Sequence, residues 1–202
     1  MKQLVIMGAS GHGKVVADIA NKTGYEQIVF LDDKESVTEC SGYPVVGKCS
    51  SFVEYDCDII VAIGNPSIRE KLLMDLENAG KCIPVLIHPH ASIAENVTIG
   101  KGTVIAAGAV INPDAIIGSG CIINTCSSVD HDCTLEDYVH VAVGAHVAGT
   151  VTIGKRTWIG AGATVSNNVK ICADCMIGAG CVVVSDISEK GTYIGVPARL
   201  MR

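Results

Sequence analysis

His131 stands between two acids in the stretch Asn124-Thr125-Cys126-Ser127-Ser128-Val129-Asp130-His131-Asp132. An imidazole beside a carboxylate is a candidate general base, because the neighbouring charge stabilises the imidazolium and raises its basicity. Gly149 follows His131 by 18 residues. In a fold that repeats every 18 residues the two would stack, and a glycine amide with no side chain over it is approachable as an oxyanion donor. Val143, Ala161 and Ala179 share the same step and form a smooth column. Either a long thin ligand or a neighbouring copy of the chain could lie along it. Ser127 and Ser128 carry nucleophilic hydroxyls, but Ser127 falls at an inward position and reads as core. His140 and His146 could join His131 as a metal triad. The acids flanking His131 argue for proton transfer instead, so no metal is expected.

A second constellation lies near the N-terminus. Gly8-Ala9-Ser10-Gly11-His12-Gly13 sits between a strand-like run and a helix-like one. At such a junction backbone N–H groups and the helix dipole attract phosphate. The spacing is G-x-x-G-x-G rather than the G-x-G-x-x-G of dinucleotide sites, so a nucleotide diphosphate fits better. Asp32-Asp33 ends the second strand about twenty residues on, where an acid commonly meets a ribose. Gly64-Asn65 ends a later strand, and all three loops are expected at one carboxyl edge of a parallel sheet.

The elements that would carry these groups are of two kinds. Residues 1–85 alternate β and α, with strands at Gln3–Met7, Gln27–Leu31 and Asp58–Ile63 and helices at Gly11–Thr23 and Pro66–Ala79. Proline suits the first position of the second helix. Val85–Ile87 leads out, and Pro84 and Pro89 punctuate the junction. This is a small Rossmann-like α/β unit. Residues 86–202 follow another rule. From Ile93 to Val183 every sixth residue is Ile, Val or Leu, sixteen positions in succession. Neither a helix nor a simple strand has that period; hexapeptide repeats do, and they mark a parallel β-helix. Three hexapeptides close one coil of a triangular prism. The position two before each aliphatic is small (Ala91, Thr103, Ala109, Cys121 and so on), as a narrow interior requires. The glycines that follow aliphatics (Gly100, Gly118, Gly154, Gly160, Gly178) are expected at corners with unusual backbone angles.

Composition agrees with a narrow prism. Of the 202 residues 49% are hydrophobic, yet Phe, Trp and Tyr number only eight. The mean hydropathy of +0.40 raises the question of a membrane span. The longest stretch without Asp, Glu, Lys or Arg, Tyr138 to Gly154, holds two His and several Gly. It falls short of the roughly 18 strongly apolar residues a span needs. Met1-Lys2 leads directly into LVIMG, so no signal peptide is expected, and the chain is placed in the cytoplasm. The net charge of −6, with no basic patch, argues against a nucleic-acid partner. Ten cysteines in a reducing compartment are not expected to form disulfides. Their spacing is read as no zinc set, and Cys121, Cys133, Cys175 and Cys181 fall in small inward slots as inert thiols.

The stretches GASGHGKVVADIA, FLDD, AIGNPSIR, NTCSSVDHDC, HVAVGAHVAGTVTIGK and GTYIGVPARLM together resemble the NeuD/PglD-type sugar O- and N-acetyltransferases. The likeness runs over essentially the whole chain and is nearest to the bacterial enzymes that acetylate a UDP-4-amino-4,6-dideoxy-sugar. It implies a left-handed parallel β-helix, a homotrimer with active sites between protomers, and acetyl-CoA as donor. By the same resemblance His131 is the general base. Asp132, where relatives usually have Glu, orients it; Asn124 positions the reacting groups, and Gly149 is the oxyanion donor. His140, Ala161 and Ala179 match acetyl-CoA contacts. Gly11, His12 and Gly13 match contacts to the UDP-sugar, with Asp32, Asp33 and Gly64 toward the nucleotide end. Direct transfer without a covalent acyl-enzyme is implied. O-acetylation of sialic acid or another surface-polysaccharide sugar is the first rival, and a non-catalytic sugar-nucleotide-binding scaffold the second.

Overall fold

The run Leu4-Val5-Ile6-Met7 is apolar throughout and wholly buried, as befits a parallel strand covered on both faces. It is the centre of the first of two compact units, Met1–Pro89 and His90–Arg202, in a computed structural model that describes residues 2–201. Five strands form the sheet of this unit: β1 (Gln3–Met7), β2 (Gln27–Leu31), β3 (Glu39–Cys40), β4 (Tyr43–Gly47) and β5 (Asp58–Val61). Their order is β3-β4-β2-β1-β5. β1, β2, β4 and β5 are parallel, and β3 is antiparallel to β4. Helix α1 (Gly11–Lys22) follows β1, and α2 (Pro66–Asn78) follows β5.

Each expected element is present; β1 and β2 have the expected bounds and the other three end one or two residues early. β5 stops at Val61 rather than Ile63, and the helices stop one residue short of Thr23 and Ala79. The sequence reading passed over β3, β4 and a short 3₁₀ turn, Cys49–Glu54. β4 contains Pro44 and no fully buried residue, so it carries no buried-strand signature.

In the second unit each hexapeptide contributes a two-residue strand, and the strands stack in three parallel sheets. Partners differ by 18 residues: Ser128 with His146, Thr134 with Thr152, His140 with Trp158. Three hexapeptides therefore make one coil of a parallel β-helix. From Ile105 to Val183 every sixth-position aliphatic is buried, as are the small residues two before them. Of the polar members of the small set, Ser127 Oγ donates within its own turn to Asn124 O at 2.7 Å, and the two threonines are satisfied by the coil above. Thr103 Oγ1 donates to Gly118 O at 2.8 Å and Thr157 Oγ1 to Cys172 O at 3.0 Å.

The corners correct one expectation. The glycines after the aliphatics do not carry the unusual angles. Positive φ falls three residues after each aliphatic, at every sixth position from Asn96 to Gly180, and includes Asp114, Asp132, Asn168 and Asp174. Gly100, Gly118, Gly154 and Gly160 are glycine because of close approach. A Cβ on Gly160 would lie 2.5 Å from Ile177 O, and one on Gly118 2.7 Å from Asp137 N. At Gly178 the neighbour is the Ile194 side chain instead, at 3.1 Å.

Candidate active site

The turn after Ser128–Val129 presents His131 and Asp132 to solvent. Asp132 has φ +57°, a left-handed conformation that Asp tolerates better than most residues. There its carboxylate turns back on its neighbour, and Asp132 Oδ2 lies 2.7 Å from His131 Nδ1. The short side chain of Asp132 thus reaches the imidazole. A proton on Nδ1 facing this carboxylate leaves Nε2 as the basic nitrogen, an assignment made from hydrogen bonding. The hydrogen bond to Asp132, with the charge of Asp130 adding to it, raises the His131 pKa above the ordinary imidazole value.

Gly149 lies one coil above. A Cβ there would fall 2.6 Å from His131 Nε2 and 2.7 Å from Cε1, so the imidazole occupies the space that any other residue would fill. The Gly149 N–H has no acceptor among the described residues, whereas its carbonyl accepts from Asn168 N–H at 3.0 Å. A residue the sequence reading missed supports His131 from below. Asn112 Nδ2 donates to Asp130 Oδ1 at 2.6 Å, and the same oxygen accepts the His131 backbone N–H at 2.8 Å. The signal was available, since Asn112 precedes Asp130 by 18 residues.

The other expected prism residues gather at a different corner. Asn124 Nδ2 lies 3.2 Å from His140 Nε2. The buried His140 ring packs on Trp158, one coil above, at a centroid separation of 4.1 Å. Val143, Ala161 and Ala179 follow each other up this corner and are exposed. A Cβ added at Gly144, Gly162 or Gly180 beside them would meet nothing within 4 Å, so the column is open. Within one chain the flat face Ser127–Val129 separates this cluster from His131. His131, Asp132 and Gly149 are brought together; Asn124 joins His140 instead.

In the α/β unit the three loops follow β1, β2 and β5, adjacent strands of one sheet, so they share its carboxyl edge. Gly13 is required by packing, because a Cβ would clash with Gly8 O. Gly11 is exposed and a Cβ there would meet nothing, so no packing explains it. Ser10 makes no side-chain cap at α1, whereas Asn65 Oδ1 caps α2 through Ser67 N and Ile68 N. Of the two helix starts, α1 keeps its uncapped N–H groups. His12 Nε2 is buried without a hydrogen-bond partner among the described residues, and burial followed by the Arg69 charge lowers its pKa to about 4. At neutral pH it offers a hydrogen bond rather than a charge. Arg69 is buried and its Nη1 donates to Ile63 O and Gly64 O, each at 2.7 Å, fixing the Gly64 loop.

Asp32 and Asp33 have scaffold partners. Asp32 Oδ2 accepts from Ala9 N–H at 2.7 Å and Oδ1 from Lys34 N–H at 2.8 Å. Asp33 Oδ1 accepts from Cys49 N–H at 2.9 Å. Asp32 thereby ties the glycine turn to the end of β2. Beside it opens a cavity of about 230 Å³, lined by Lys34, Val37, Thr38, Val45 and Lys48 among others.

A Rossmann-like unit with an open helix start is joined in one chain to a β-helix bearing an imidazole held by a carboxylate, an arrangement suited to a transferase with a nucleotide-linked substrate. Comparison with known proteins agrees. The PglD N-terminal domain model matches residues 3–76, and the bacterial transferase hexapeptide model matches residues 84–113 and 150–185. The acetyltransferase domain of PglB from Neisseria gonorrhoeae, solved with acetyl coenzyme A, is 39% identical with a TM-score of 0.96 over 99% of both chains. PerB from Caulobacter crescentus, in complex with CoA and GDP-perosamine, is 36% identical with a TM-score of 0.95, over 100% of this chain and 98% of that one. The GDP-perosamine N-acetyltransferase of Escherichia coli O157:H7 is 30% identical over 77% of this chain and 74% of its own length. The UDP-N-acetylbacillosamine N-acetyltransferase of Bacillus subtilis is 36% identical over 53% of this chain and 52% of its own, so that match spans about half of either. The chain belongs to the PglD-type family of hexapeptide-repeat sugar acetyltransferases. It is an acetyl-CoA-dependent sugar N-acetyltransferase of that family. Among the described residues no helix is long and apolar enough to cross a membrane, and no cluster of side chains suits a metal ion.

Proposed function

We propose that the chain transfers an acetyl group from acetyl-CoA to the 4-amino group of a UDP-linked 4-amino-4,6-dideoxy-sugar, with His131 as general base. The observation that carries this reading is the Asp132–His131 pair lying against Gly149. His131 Nε2 takes a proton from the amine as it attacks. Asp132 holds the Nδ1 proton and stabilises the imidazolium, which returns its proton to the leaving group. The Gly149 N–H donates to the oxygen that gains negative charge. Acetyl-CoA supplies the activated acyl carbon and its thiolate leaving group. The open column of Val143, Ala161 and Ala179, with His140 beside it, is suited to the pantetheine arm. In the α/β unit the uncapped start of α1, with Gly11, His12 and Gly13, would hold the diphosphate. The cavity beside Asp32 would take the base, with Asp33 and Gly64 supporting the loops around it. We take residues 1–85 as the nucleotide-sugar domain and 86–202 as the acetyltransferase domain, acting in the cytoplasm.

The separation of His131 from Asn124 and His140 supports a site completed by a second copy. One corner then supplies the base and a neighbour's other corner supplies Asn124 and the donor-binding column. Repeating such a contact closes into a ring, here a homotrimer with three sites. The likeness to the B. subtilis enzyme favours UDP. The second reading is a GDP-linked sugar, favoured by the PerB likeness over nearly the full length of both chains. Acetylation assays with matched UDP- and GDP-linked 4-amino-sugars, and with free sialic acid, separate these readings. A product from the UDP-sugar is expected. Turnover of the GDP-sugar alone would move the assignment to the second reading, and turnover of sialic acid alone would remove both.

A further inference from the structure

The inward-slot rule treats Cys175 like Cys121, Cys133 and Cys181, yet its surroundings differ. The sequence reading counts no C-x-x-C pair, yet Cys172-Ala173-Asp174-Cys175 has that spacing. Ala173 and Asp174 are the two central residues of a corner turn, with Asp174 at φ +61°. A four-residue turn holds its end Cα atoms within about 7 Å, which overlaps the roughly 4.4–6.8 Å that a disulfide needs. The two sulfurs are in hydrogen-bond contact at 3.5 Å. The thiols of Cys121 and Cys133 donate to Glu136 O at 3.3 Å and Ala148 O at 3.1 Å on the coil above; Cys175 Sγ reaches Glu189 O only at 3.7 Å and has a second sulfur beside it. All ten cysteines are free.

The corner is also held and charged. Arg156 grips Asp174 through Nε at 2.6 Å and Nη2 at 2.8 Å. Cys172 N–H donates to Ile187 O at 2.8 Å. The Arg156 hydrogen bond, with the charges of Arg156, Lys190 and Lys155 adding to it, keeps the Asp174 carboxyl below the usual range. Cys172 is half-buried and reachable, whereas Cys175 is buried. Burial together with Cys172 pushes the Cys175 thiol up to about 12. The attacking sulfur is therefore Cys172.

We propose that Cys172 and Cys175 form a redox-active dithiol, a modification site that hydrogen peroxide closes to an intramolecular disulfide. The Cys172 thiolate attacks one peroxide oxygen; an S–O bond forms, the O–O bond breaks, and the first water leaves with the Cys172 proton. Cys175 sulfur then attacks the sulfenic sulfur. The S–S bond forms, the S–O bond breaks, and the second water leaves with the Cys175 proton. One peroxide is reduced to two waters as two thiols lose two electrons. The inference is independent of the acetylation reading, because its test maps thiols and measures no turnover.

The test is peroxide treatment of the whole native chain, alkylation of remaining thiols, digestion and mass spectrometry. Cleavage before Asp174 separates the two cysteines, so the bridged product runs as two joined peptides. The expected result is that Cys172 and Cys175 escape alkylation together, joined with loss of two hydrogens, and that dithiothreitol restores both. Cys172→Ser removes the joined product, and Cys175→Ser leaves a dimedone-reactive sulfenic acid at Cys172. Alkylation of both residues after peroxide treatment would overturn the proposal. So would a sulfinic acid at either without a bridge, or a bridge from either to another cysteine.

Discussion

At the scale of single residues, the proposed mechanism makes Asp132 the group that sets the pH at which His131 would work. Its hydrogen bond is the largest influence raising the imidazole pKa, and the base acts only when deprotonated. The rate should therefore rise with pH through a limb lying above the ordinary imidazole value of about 6.5. Asp132→Asn removes the charge, so the limb should move to lower pH while the maximum falls. Loss of a buried orienting carboxylate costs up to about 10⁴-fold, and the exposed Asp132 should cost less. A pH–rate profile of the variant checks both directions. Gly149→Ala separates geometry from fold. The three atoms nearest its Cβ all belong to the exposed His131 ring, which can swing aside at little cost in stability. The chain should melt as before while kcat falls about 100-fold, the scale of a 1 Å misplacement. Steady-state kinetics alongside a thermal melt reads both.

At the scale of elements, two kinds of glycine alternate at the prism corners for different reasons. Gly160→Ala drives a Cβ into Ile177 O and Ala179 N and disturbs a backbone rung. It should cost about 3 kcal/mol, the upper range for overpacking. Gly162→Ala meets no atom but must hold φ +65°, at a cost of about 1–2 kcal/mol. Asn, which tolerates that region, should recover part of the loss at Gly162 and none at Gly160. Urea unfolding of the four variants distinguishes the two causes. This is also where legibility in the sequence ended. The step of six and the small inward positions follow from burial, which is a property of residue type. Which corner residue bends left-handed depends on the turn, and Asn, Asp, Tyr138, Thr150 and Arg156 all accept that conformation here, so no residue type marks it. The His131–Gly149 stack was legible because a period of 18 suffices to place it. Asp132's contact depended on a backbone angle, and Asp32's engagement by Ala9 N–H depended on the tertiary approach of two loops.

At the scale of the whole molecule, the distribution of site residues over two corners makes assembly part of the catalytic account. If the complete site is shared between copies, His131→Ala and Asn124→Ala chains should each be nearly inactive alone. Co-expressed with different tags and purified through both, they should regain part of the activity, because some contacts then pair an intact His131 with an intact Asn124. If each chain carried its own site, no mixture would recover. Sedimentation of the purified protein should give the mass of a trimer.

The central claim is that His131 is the general base, and turnover of His131→Ala tests it most directly. With UDP-4-amino-sugar and acetyl-CoA at saturation, kcat should fall by about 100-fold or more, the usual contribution of a general base. Acetyl-CoA binding and the thermal melt should change little, since His131 is exposed and the proposed donor contacts are made by His140 and the Val143, Ala161 and Ala179 column. Turnover near that of the unaltered protein would contradict the account and remove His131 from the chemistry.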